Sequence, residues 1–98
     1  MLEKFRSYML ALRFYREICG LRLPAHLKGQ LERAASSVAL CLAEGYGRSS
    51  PADKRRFYHM AMGSMRESQA VLALATITSP LLLDLADHLA ASIYKLTH

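Results

Sequence analysis

The chain has 98 residues, a formal net charge of +5, 52% hydrophobic residues and no tryptophan. That length suits one domain, 1–98, with a modest core whose stability gains from self-association. No apolar run approaches the ~18–20 residues of a membrane span, the N-terminus lacks a signal-peptide layout, and five glycines with three prolines disfavour a turn-rich β architecture, so the expectation is an all-α protein of the cytoplasm.

The first helix is expected at about 3–20. Turning about 100° per residue, Phe5, Tyr8, Met9, Leu12, Tyr15 and Cys19 share one side, while Leu10, Phe14, Ile18 and Leu21 share the other. A surface helix needs only one apolar stripe. Two stripes imply that one faces the bundle and the other a second subunit, with Leu10, Phe14 and Ile18 as the expected oligomer contact. The second helix, about 25–44, turns Leu27, Leu31, Ala34, Ala35, Val38 and Leu42 inward. Gly45 is expected at its end, as a left-handed terminator.

Ser50-Pro51-Ala52-Asp53 reads as a helix start: a serine cap, proline at the first helical position and a carboxylate in the first turn. The third helix, about 51–77, presents Phe57, Met60, Ala61, Ser64, Ser68, Val71 and Ala75 on one face. Ser79-Pro80 opens a fourth, about 80–96, with Leu81, Leu82, Leu85, Leu89, Ile93 and Leu96. Short connections between four helices give an antiparallel up-down four-helix bundle. Small residues at Ala34, Ala35, Ser36 and Ser37, and again at Ala61, Gly63 and Ser64, favour close packing of the two central helices. Cys19 and Cys41 read as reduced core residues.

Two side-chain sets invite a functional reading. Arg33, Ser37, Glu44 and Glu67 are candidates for a polar network fixing the register of the central hairpin; an ordinary edge carboxylate and a ligand grip are the other readings of Glu67. Arg48, Lys54, Arg55 and Arg56 surround the central turn, and Arg13, Arg16 and Arg22 form a second basic set. A basic balance favours polyanions, RNA or DNA, and Tyr46, Phe57 and Tyr58 supply nearby aromatics for stacking; the other reading is a solvated charged face with aromatics that fill the bundle end. The turn lacks the Gly-Lys-Ser/Thr ending of a phosphate-binding loop. The histidines show no metal-ligand spacing, and the serines have no base-and-orienter set, so no metal, cofactor or catalytic residue is expected.

Gln30-Leu31-Glu32-Arg33-Ala34-Ala35-Ser36-Ser37, Ala43-Glu44-Gly45-Tyr46-Gly47-Arg48 and Gly63-Ser64-Met65-Arg66-Glu67, taken together, resemble the bacterial four-helix-bundle family of 23S ribosomal RNA intervening-sequence proteins. The resemblance implies an up-down bundle that assembles as a homopentameric ring. It also implies encoding within inserts of large-subunit ribosomal RNA genes or in standalone genes. Accessory variability proteins of diversity-generating retroelements share that fold and bind nucleic acid and a reverse transcriptase. The chain departs from the family at Cys41, where asparagine is common, and in its short third connection, Thr78-Ser79-Pro80. The resulting expectation is a non-enzymatic oligomer associated with RNA through a basic surface; the alternative is a scaffold ring that docks a partner protein.

Overall fold

A computed structural model describes residue 2 and residues 5–98. Its four helices are α1 (Arg6–Cys19), α2 (Ala25–Tyr46), α3 (Pro51–Leu74) and α4 (Pro80–Thr97). The expected start of the first helix at residue 3 lies outside the described residues. The helices pack in a closed circuit, α1 on α2, α2 on α3, α3 on α4 and α4 on α1, forming an up-down bundle with extents of 40 × 22 × 21 Å.

The capping devices explain where the helices begin. Asp53 N–H donates to Ser50 Oγ at 3.0 Å, and Pro51 follows in the first turn of α3. Ser79 Oγ accepts from Leu82 N–H at 3.4 Å at the start of α4. The α2 terminus departs from expectation. Gly45 remains helical, and α2 runs on to Tyr46 with Gly47 as its cap, whose φ of −83° is right-handed. Gly45 is required for space instead: a Cβ there would lie 2.6 Å from Tyr58 Cε1 and 3.1 Å from Phe57 Cβ. Its bare backbone lets α3 approach α2 at the corner.

The core runs the length of the bundle through Phe14, Ile18, Leu31, Leu42, Met65, Leu72, Leu89 and Ile93, all fully buried. Each contributes about 1.5–3 kcal/mol of transfer free energy. Ala34 and Ala35 of α2 and Ala61 of α3 are buried, small side chains that need little room in the core. Gly63 does not take part, because a Cβ there would meet nothing within 4 Å.

The two stripes of α1 are resolved against the expected oligomer contact. Phe14 and Ile18 are entirely inside the chain's own core, and Leu10 packs half-buried against it. Ser7 and Ala11 share that inward face, and Ser7 bonds Ser92 of α4 through their hydroxyls. The opposite stripe, with Tyr8, Leu12 and Tyr15 half-buried and Met9 exposed, is the one left on the surface. Tyrosine and methionine tolerate that position because each covers apolar area while reaching water or adapting its shape. Cys19 is exposed rather than core, and Cys41 is half-buried; both are free thiols. Met60 and Leu81, expected to face inward, are also exposed.

Candidate nucleic-acid interface

The α2–α3 corner is built from two helix ends. Lys54, in the first turn of α3, reaches back across the turn. Its Nζ donates to the carbonyl of Tyr46 at 2.9 Å and of Gly45 at 3.4 Å, helping to satisfy the last carbonyls of α2; that of Gly45 also accepts from Arg48 N–H at 3.2 Å. Lys54 is therefore a cap first and a surface cation second.

Arg48 and Arg56 are also engaged. Arg48 Nη2 donates to Glu44 Oε2 at 3.0 Å, and its Nε lies 3.7 Å from Asp53 Oδ2. Arg56 donates to Asp53 Oδ1 from Nη2 at 2.9 Å and from Nε at 3.1 Å. Both guanidiniums lie over the ring of Phe57, at 4.6 Å for Arg48 and 4.4 Å for Arg56. The ring supplies a cation–π surface, and Asp53 ties both arginines to it. Arg55 is exposed and has no partner among the described residues. Four cations against the carboxylates of Glu44 and Asp53 leave the corner at +2 (4 − 2).

The aromatics there serve partly as architecture. Tyr46 stacks on Phe5 at 4.9 Å, joining the start of α1 to the end of α2, and Lys54 Nζ sits 5.7 Å from its ring. Tyr58 is buried, and its hydroxyl is pushed above the usual tyrosine range by that burial and by neighbouring Tyr46.

Arg13 and Arg16 do not join this corner. Arg13 lies eight residues beyond Phe5, about 12 Å along the helix axis. It borders a cleft of about 440 Å³ between α1 and α4, together with Arg6, Glu17, Asp84 and His88. Two acids there offset the two arginines. Arg6 was not singled out from the sequence, where only its position on the same helix pointed to it.

The expected polar network does not form. The side chains of Arg33 and Glu67 are exposed, and neither makes a hydrogen bond or ion pair among the described residues. Glu44 pairs with Arg48, on the turn. Of the four expected residues, Ser37 bonds across the seam, accepting from Ser64 at 2.9 Å. Arg33 and Glu67 stand on the outer flanks of their helices, while small hydroxyls fill the seam between. Among the described residues no group of three potential metal ligands gathers.

No curated protein and no solved structure matches the chain. A family model, the 23S rRNA-intervening sequence protein, matches residues 3–97. With nearly the whole bundle covered, the chain belongs to the 23S rRNA-intervening sequence protein family.

Proposed function

We propose that this bundle is a non-enzymatic, oligomeric protein that associates with RNA through the α2–α3 corner. The observation that carries the reading is the gathering of Arg48, Lys54, Arg55 and Arg56 on one corner of a chain with net charge +5. The family's description mentions 23S rRNA, which is consistent with an RNA partner. Assembly multiplies the corner by the number of subunits, so modest charges act together. In a ring of the kind the family resemblance implies, a pentamer, five such corners share one surface.

Self-association is assigned to the outer faces of α1 and α2. Met9 is 40% exposed and Leu40 66% exposed, whereas Phe14 and Ile18 are unavailable. Light scattering should report several times 11.0 kDa, and a Met9→Glu/Leu40→Glu variant should move the assembly toward monomer with its helicity kept. A monomeric wild type at micromolar concentration overturns the oligomer.

RNA association is tested by measuring RNA and DNA binding across a salt series. Phosphate contacts predict affinity that falls steeply as salt rises, and no binding at low salt sinks the reading. Exposed Leu74 and Leu81, flanking the α3–α4 turn, favour a second reading, a scaffold that docks a partner protein. Partners recovered from lysate that persist after nuclease treatment would support it over RNA.

A further inference from the structure

We propose that Arg48 and Arg56, ordered over Phe57 by Asp53, form a stacking platform for unpaired nucleobases, so that the corner takes single-stranded rather than duplex RNA. The proposal rests on the RNA reading above and names the form of RNA it accepts.

Three observations converge on it. First, the two guanidiniums are already ordered. Asp53 holds both, Glu44 holds Arg48 from the other helix, and Phe57 underlies them at 4.6 and 4.4 Å. A planar group fixed before binding loses little conformational freedom when a ligand arrives. Second, Glu44 and Asp53 offset part of their charge within the corner, which still keeps a net positive balance. Their planar surfaces remain usable: the side chains are 41% and 59% exposed. Third, Phe57 is half-buried, and its Cβ sits against the bare backbone of Gly45, where a Cβ would come within 3.1 Å of it. The platform therefore stands where α3 approaches α2 closely enough to exclude a side chain at Gly45.

A guanidinium face stacks on a base only where that base is free of its neighbours. In a duplex every base is already stacked inside the helix, and only phosphates and groove edges are presented. Loops and single strands offer the unpaired faces.

The test compares a short single-stranded RNA with a duplex of the same length and composition, by fluorescence anisotropy at fixed low salt. Wild type should prefer the single strand. The double variant Arg48→Lys/Arg56→Lys keeps the charge and removes both planes, and should lose about tenfold in single-strand affinity with little change for the duplex. Phe57→Leu keeps the charges and an apolar anchor and should lose a similar factor; circular dichroism melts confirm that each variant is folded. Lysine and leucine variants that bind like wild type overturn the platform while leaving the RNA reading intact. Equal wild-type affinity for strand and duplex also overturns it. A wild type that binds neither overturns the RNA reading, and the platform with it.

Discussion

Ser64 Oγ donates to Ser37 Oγ at 2.9 Å, tying α3 to α2 through their smallest polar side chains. One turn along α3, fully buried Ser68 donates to the carbonyl of Ser64 at 2.9 Å, so both hydroxyls are used close to the core. Ser64→Ala removes the cross-helix donor and leaves Ser37 half-buried, with only a 3.8 Å approach to Cys41 Sγ. The expected cost is about 1 kcal/mol. In a urea-unfolding cycle the double variant Ser37→Ala/Ser64→Ala should cost less than the sum of the single changes, because it leaves neither hydroxyl unpaired. Strict additivity would show that the bond does not couple the helices.

Gly45 and Gly63 should respond in opposite directions to alanine. At Gly45 the new methyl meets the Tyr58 ring at 2.6 and 2.9 Å and Phe57 Cβ at 3.1 Å. Tyr58 is buried and has nowhere to withdraw, so overpacking should cost about 1–3 kcal/mol. Gly63 is exposed in mid-helix with open space beyond it. Gly63→Ala should raise stability by about 0.5–1 kcal/mol, through lower unfolded-state entropy and better helix propensity. Thermal melts of the two variants on either side of wild type would bear this out.

The contrast between those glycines shows what a sequence of this kind discloses. Helix starts at Ser50-Pro51 and Ser79-Pro80 are legible because capping is a local event, decided by residues three apart. The two faces of α1 are not, because Leu10-Phe14-Ile18 and Met9-Leu12-Tyr15 satisfy the same helical period. The choice between them is made by the surface that α2 and α4 present. Arg33 and Glu67 were expected to reach toward one another, but the seam is filled by Ser37 and Ser64, and long side chains on the flanks have no room to enter. At the corner the charges of Arg48, Asp53 and Arg56 are visible in the sequence. Their common footing on Phe57 depends on the turn geometry and on the space Gly45 leaves, and neither follows from spacing.

Thr76 holds the left-handed position that ends α3, with φ of 54°. The paired bonds of such a terminus are present: Thr76 N–H to the carbonyl of Ala73 and Ile77 N–H to that of Leu72, each 3.0 Å. Glycine is the usual occupant because a Cβ crowds the following carbonyl there, and a β-branched residue is worse suited still. Thr76→Gly should stabilise the bundle by about 0.5–1 kcal/mol, net of the extra unfolded-state entropy of glycine. Thr76→Ala keeps the Cβ and should gain much less. Equal unfolding midpoints for the two variants would mean the strain is relieved elsewhere.

Tyr58 predicts how the bundle responds to alkali. Burial first, and the nearby Tyr46 second, raise its pKa above the ordinary value of 10.0. In the unfolded chain the hydroxyl ionises at that ordinary value, while the folded chain keeps its proton to higher pH. Above pH ~10 the unfolded state therefore binds fewer protons, and unfolding becomes progressively easier until the folded group ionises in turn. At neutral pH both states are protonated and the group contributes no pH dependence. Tyr58→Phe preserves the ring that packs against Gly45 and removes the ionisation. Across a urea-unfolding series spanning pH ~8–11, wild type should lose stability more steeply than this variant, with the divergence opening near pH 10. Parallel curves would show that Tyr58 ionises as freely in the folded bundle as in the unfolded chain.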